Sequence, residues 1–199
     1  LEWWPIHDMS GLMNEQWKFF QGFLRQPGQV GSVIPSSKAL EQHIVRQIDP
    51  EHAETLVELG PGTGGTTRAV LAAMTSSARL LAIDIDPQFV RHLEAIDDPR
   101  LIPCTGTAGN LSELLSQHGL AAPDVVFSGI PFSTMGDELG RQVIESVWSS
   151  LKPGGRFVAY QFRGAVKQIG EQILGPPSVE WQWFNIPPMR FYRWDKPVQ

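Results

Sequence analysis

The chain has a single cysteine, Cys104, among 199 residues. That count excludes an internal disulfide and any cysteine-cluster metal site. The five histidines (His7, His43, His52, His92 and His118) form no HxH or HExxH pair, so no metal site is expected. Long apolar runs are missing too. Stretches such as Val125-Val126-Phe127 span only a few residues, against the roughly 20 that a membrane-spanning helix needs. No charged-then-apolar leader precedes the fold, which leaves secretion without support. Positive charge is scarce: 16 Lys and Arg stand against 21 Asp and Glu, a net charge of −5. A protein that grips nucleic acid by its phosphates is usually basic over at least one face. Here only Arg156, Arg163, Arg190, Arg193 and Lys196 gather, and weakly, so no nucleic-acid partner is expected.

Apolar residues make up 42% of the chain and charged residues 19%, which fits one folded domain with a full core rather than a disordered chain. Seven tryptophans are present, with Trp3, Trp4 and Trp17 near the start and Trp181, Trp183 and Trp194 near the end. Tryptophan suits surfaces that are apolar on one side and wet on the other. Residues 9–25 read as an amphipathic helix, with Met9, Leu12, Met13, Phe20, Phe23 and Leu24 at helical spacing, ended by Pro27-Gly28. Such a helix either packs on the domain or lies in a membrane interface with Trp17, Phe19, Phe20 and Phe23 as anchors.

From residue 37 onward the pattern alternates. Strands are expected at 55–59, 79–84, 101–104, 124–128 and 156–162, separated by helices at 37–48, up to about 74, from Pro87, at 110–117, 136–150 and 165–174. Asp86 is a plausible cap ahead of Pro87. Two further strands, 179–184 and 189–194, follow each other directly and read as an antiparallel pair. The expectation is an α/β domain over 31–199, mostly parallel with an antiparallel C-terminal edge pair, preceded by a helical segment over 1–30.

The chemistry concentrates in Glu58-Leu59-Gly60-Pro61-Gly62-Thr63-Gly64-Gly65. Glycines there let the backbone turn sharply and approach a ligand, and the next helix offers its N-terminal N–H groups. Twenty residues past Gly64 stands Asp84, at the end of the second strand, where an acid can accept both ribose hydroxyls of a nucleoside. A dinucleotide site usually has GxGxxG, but threonine occupies that third position here. Glu58, two residues before the first glycine, suits a ligand with an ammonium group. S-adenosylmethionine has one and NAD does not.

This E-x-G-x-G-x-G loop with Asp84 resembles the class I S-adenosylmethionine-dependent methyltransferases, and the resemblance spans residues 31–195. It implies a Rossmann-like sheet, S-adenosylmethionine as cofactor and S-adenosylhomocysteine as product. By residue, it implies Glu58 near the methionine ammonium, Gly60, Gly62, Thr63 and Gly64 lining the cofactor, Asp84 on the ribose and Ile85 against adenine. Thr107 and Ala108 stand where the family often has Asp-Ala, so Thr107 is expected on the adenine amine with Ala108 beside it. Ser128 closes the set at the end of the fourth strand.

Upstream, Pro27 through Ser37 (P-G-Q-V-G-S-V-I-P-S-S) resembles bacterial phospholipid N-methyltransferases, as do Ser128-Gly129-Ile130-Pro131-Phe132 and Asn185-Ile186-Pro187-Pro188. That resemblance implies methylation of the phosphatidylethanolamine amine. It also implies attachment to the cytoplasmic side of the inner membrane through residues 9–25, with Ser32, Val33 and Pro35 bordering the cofactor. The nearest rival, the rRNA adenine dimethyltransferase group, carries asparagine where this chain has Gly129. The pattern also admits a methyltransferase of the same fold with a soluble small-molecule acceptor, and a binding module that keeps the fold without catalysis. Phe132 and Tyr160, at carboxyl ends of strands, are either core residues or the aromatic faces that hold the amine.

Overall fold

The protein is described by a computed structural model covering residues 38–182 and 189–198. The amphipathic segment 9–25, the residues Ser32, Val33 and Pro35, and the Asn185–Pro188 motif lie outside the described residues.

Helix α1 (Lys38–Ile48) leads through a short 3-10 turn (Pro50–His52) into strand β1 (Thr55–Leu59). There follow α2 (Gly65–Ala73), β2 (Arg79–Asp84), α3 (Pro87–Glu94), β3 (Leu101–Thr105), a second 3-10 turn (Ala108–Asn110) and α4 (Leu111–Gln117). The remainder is β4 (Val125–Ser128), α5 (Phe132–Met135), α6 (Asp137–Ser150), β5 (Arg156–Gln161), α7 (Ala165–Leu174), β6 (Ser178–Gln182) and β7 (Met189–Asp195). The strands form one seven-stranded sheet in the order β3-β2-β1-β4-β5-β7-β6. The first five run parallel, and β7 lies antiparallel to both β5 and β6. The α/β expectation with an antiparallel edge pair holds. Alternation from strand to helix forces the parallel core, and the step from Gln182 at the end of β6 to Met189 at the start of β7, too short in sequence for a crossover, forces the antiparallel edge.

Every residue of β1 and β4 is buried, as befits parallel strands covered on both faces. The period-two pleat divides the core. Leu56, Leu80, Ala82, Phe127, Val158 and Phe191 pack with Leu40, Ile44 and Ile48 of α1 and Val70 and Leu71 of α2 on one face. On the other, Val57, Leu81, Val126, Phe157, Tyr192 and Trp194 pack with α4, α6 and α7. Local chemistry sets the boundaries. The Asp86 carboxylate accepts the Gln88 N–H at 2.8 Å and Pro87 opens α3, as the cap reading anticipated.

The order reverses between β1, which leads outward to β2 and β3, and β4, which leads the other way to β5. At such a switch point the strand-end loops part and leave a crevice at the carboxyl ends. The two sides stay linked at the crevice floor, where the Gly129 N–H donates to the Leu59 carbonyl at 3.1 Å.

Candidate active site

The glycine loop closes the end of β1. Gly60, Gly62 and Gly64 all have positive φ, at 74°, 56° and 81°. At Gly64 a side chain is excluded by space as well, because an added Cβ would stand 2.9 Å from Leu93 Cδ2. The chain thus passes tightly from β1 into α2, whose first turn carries Thr66 and Thr67 inward.

Glu58 is fully buried on β1. Its Oε2 accepts the Thr67 hydroxyl at 2.6 Å, while Oε1 has no hydrogen-bond partner among the described residues. Burial pushes the Glu58 carboxyl up to about 8, Thr67 pulls it back in part, and the nearby Asp84 adds to the rise. A buried carboxylate with one unpartnered oxygen is costly by itself and is relieved by a cation. Asp84, also buried, accepts the Asp86 N–H at 3.0 Å and the Gly62 N–H at 3.3 Å, one on each oxygen. Burial, helped by the neighbouring Asp86 carboxylate, raises it to about 6 against the backbone N–H groups of Asp86, Gly62 and Ile85. The Gly62–Asp84 contact ties the glycine loop to β2, so the loop and the acid are one unit.

A cleft opens beside Asp84. Ile83, Ile85, Gly106, Thr107 and Ala108 line one side, and Ile130, Pro131, Thr134, Met135, Leu139 and Val143 the other. Its walls are chiefly apolar, a slot suited to a flat, weakly polar ring, with Asp84 at its edge. Thr107 uses its hydroxyl oxygen to accept the Gly109 N–H at 3.3 Å and so shapes the turn after β3.

The residues expected to hold the cofactor divide by role. Gly60, Asp84, Ile85, Thr107 and Ala108 line the cleft, Gly62 is tied to Asp84 beside it, Gly64 packs against Leu93, and Glu58 lies fully buried on β1. Thr63 is exposed at the loop tip. Ser128 is fully buried, and its hydroxyl oxygen accepts the Ile130 N–H at 3.2 Å, so its side chain shapes the β4 turn. Phe132 needs correction as an amine-holding residue. It is 2% exposed, sits in the core with Ile169 and Val166, and is absent from the cleft lining. As the first residue of the four-residue helix α5, it turns its ring inward, and Pro131, Thr134 and Met135 face the cleft instead. Tyr160 lies at the carboxyl end of β5, partly buried, with its hydroxyl beside Gly129.

Sequence reading missed Thr66 and Thr67, which look like ordinary helix residues until the loop folds them under the carboxylate. It also missed the apolar wall from α5 and α6. The spacing of Thr134, Leu139 and Val143 signals a buried face there but not which ligand it meets.

Residues 57–157, just over half of the chain, match a family described as a methyltransferase domain. The chain belongs to the S-adenosylmethionine-dependent methyltransferases. Among curated proteins, this methyltransferase is similar to the ornithine lipid N-methyltransferase of Singulisphaera acidiphila, with 31% identity over 147 residues. That match covers 73% of this chain and 77% of the relative. Among solved structures, the N-methyltransferase NodS from Bradyrhizobium japonicum WM9 in complex with S-adenosyl-L-homocysteine aligns at TM-score 0.67, 16% identity, 89% of this chain and 98% of that one. The 1,6-didemethyltoxoflavin-N1-methyltransferase of Burkholderia thailandensis aligns at TM-score 0.68, 12% identity, 99% of this chain and 92% of that one. At those identities the two structures establish the shared fold.

The cofactor is S-adenosylmethionine, and the residues present fit it. The buried, unpartnered Glu58 Oε1 suits the methionine ammonium, the three glycines leave the loop open to close approach, and Asp84 keeps acceptor capacity for ribose hydroxyls. Ile85, Thr107 and Ala108 form the wall for the base.

Proposed function

We propose that this methyltransferase methylates the primary amine of a membrane lipid head group, with phosphatidylethanolamine as the first substrate to test. The observation that carries the reading is the 31% identity, over 73% of this chain, to a lipid N-methyltransferase. An ornithine head group and an ethanolamine head group share a primary alkyl amine, so one site chemistry serves both.

Bound S-adenosylmethionine supplies an electrophilic methyl group. The protein's part is to hold a neutral amine nitrogen in line with that methyl and to keep water away. A site closed from water disfavours an ammonium and so lowers the pKa of an amine that enters it. None of the described helices is long and apolar enough to cross a membrane. In this reading the amphipathic segment 9–25 meets the bilayer, and the enzyme works on the cytoplasmic face of the inner membrane.

The test is methyl transfer from labelled S-adenosylmethionine to phosphatidylethanolamine vesicles, ornithine-lipid vesicles and unmodified small-subunit rRNA in parallel. Label in a lipid extract is the expected result, and label confined to RNA overturns the reading. Liposome sedimentation of a chain lacking residues 1–25 checks the anchor, which fails if binding is unchanged.

A further inference from the structure

The sheet sorts the five basic residues that gather in the sequence, Arg156, Arg163, Arg190, Arg193 and Lys196. Toward the amino end each finds a partner. Arg156 Nε and Arg193 Nε face the Asp195 carboxylate at 3.4 and 2.9 Å, and Lys196 Nζ donates to the Trp148 and Leu151 carbonyls, each at 2.6 Å. Arg190 is different. It is the second residue of β7, at the carboxyl end of the parallel strands, opposite Gln161 of β5 on one side and Trp181 of β6 on the other. Its guanidinium carbon lies 4.4 Å from the centre of the Trp181 ring, so the tryptophan covers one face of the plane. Its Nε is buried without a hydrogen bond, and no carboxylate among the described residues pairs with it. The rest of the residue is partly exposed. Nη1 lies at the start of α7, 3.7 Å from where a Cβ on Gly164 would stand, and Gly164 supplies no side-chain cap.

A guanidinium beside a helix N-terminus sets two positive ends together. Exposed Arg163, next to Gly164, adds a third. Little nearby offsets them: residues 151–170 and 181–194 contain no Asp or Glu, and Glu180 turns to the other face of β6, where it lies 3.5 Å from His43 Nε2. Among the described residues, only His43, Glu58 and Arg190 keep a buried side-chain polar atom without a hydrogen bond, and His43 has Glu180 beside it. That leaves one unmatched negative group, which suits the cofactor's ammonium, and one unmatched positive group. A charge partly removed from water without a partner is unfavourable, and a counter-ion relieves it. Arg190 stands outside the cleft lining, so its counter-ion is a ligand of its own. We infer that Arg190, held flat against Trp181 at the opening of α7, is an oxyanion site separate from the cofactor cleft, and that its ligand is a phosphate group. The planar fork matches phosphate oxygens two at a time, and the helix N-terminus adds backbone N–H donors to the same anion. A phospholipid head group and free phosphate present the same oxygens. The site does not depend on the amine reading, since no acceptor has to reach Arg190.

The experiment uses the full chain and two probes, inorganic phosphate and phosphatidylglycerol vesicles. In isotope-labelled protein, the buried Arg190 Nε–H should give a protected arginine side-chain resonance, assigned by its loss in Arg190→Gln. That resonance should shift saturably with phosphate and stay in place in chloride of equal ionic strength. Arg190→Gln should lower partition onto the vesicles by about five- to tenfold. Arg193→Gln removes the same charge from an arginine that already has Asp195, and should change partition by less than about twofold. Where Arg190→Gln folds poorly, Arg190→Lys keeps the charge without the planar fork and should still lose more than Arg193→Gln. A response to phosphate alone names free phosphate as the ligand, and a response to vesicles alone names lipid phosphate; either keeps the site. No shift, together with equal partition of the Arg190 and Arg193 variants, overturns it.

Discussion

The two ends of the sheet treat carboxylates in opposite ways. At the amino end, Asp124 precedes β4 and accepts the Glu54 and Thr55 N–H groups at 3.0 and 2.9 Å, while Lys152 pairs with its other oxygen. Burial alone would raise it, but Lys152 and the two backbone donors outweigh burial and hold its carboxyl below the ordinary range. At the carboxyl end, Glu58 has one hydroxyl donor and one unpartnered oxygen, and Asp84 has backbone donors from Asp86, Gly62 and Ile85 but no cationic partner among the described residues. Both are pushed up, to about 8 and about 6. A carboxylate with its charge already matched holds the fold together. One buried without a match costs the fold stability and is retained for a ligand that supplies the missing charge.

The largest effect is expected on removing the unmatched charge. Glu58→Gln should weaken S-adenosylmethionine binding by about 10- to 150-fold, the worth of a charged hydrogen bond, by calorimetry. The same change should leave the cofactor-free protein at least as stable as wild type. Glu58 has a folded value of about 8 against 4.5 for the free group, so the folded state holds the extra proton between those pH values. Wild-type stability therefore falls as pH rises from about 4.5 to 8, and the variant loses that slope in thermal unfolding. A large loss of stability in Glu58→Gln would break the comparison.

A smaller effect is the pH dependence of binding itself. The methionine ammonium needs Glu58 ionised, so Kd should tighten with rising pH between about 6 and 8, by at most tenfold per unit. Binding should release close to one proton near pH 7, read by calorimetry in buffers of different ionisation enthalpy. A flat profile would mean that the carboxylate is already charged without its ligand.

The smallest effect on binding belongs to the other end. Asp124→Asn should leave cofactor Kd unchanged and cost about 1–2 kcal/mol of stability at neutral pH. Because the folded Asp124 carboxyl is depressed, its contribution is present above the free value of 3.8 and fades as pH falls through the lower folded value. The difference between variant and wild type in thermal unfolding should therefore vanish in acid.

The cofactor side of the site was legible because it is local. Glu58 through Gly64 is one continuous stretch, and Asp84 follows at the end of the next strand, so strand and loop chemistry fixed their placement. The acceptor side was less so. Phe132 and Tyr160 both stand near strand ends, and nothing in their spacing separates them. A helix four residues long turned Phe132 into the core with Val166 and Ile169. The pleat of β5 and the stacking on Phe191 set Tyr160 over Gly129.

The sequence by itself determined the alternation of strands and helices, the antiparallel edge, the glycine loop with its two acids, and so the cofactor. All of these rest on short-range periodicity and backbone conformation, which neighbouring residues dictate. Only the tertiary structure decided which strands became neighbours, that Thr67 bonds Glu58 while the other carboxylate oxygen goes unpartnered, and that a glycine at the end of β4 makes room for a tyrosine on β5. Those depend on residues from 9 (Thr67 and Glu58) to 69 positions apart (Leu56 and Val125) meeting in space, and on how much water their meeting removes, which no local pattern encodes.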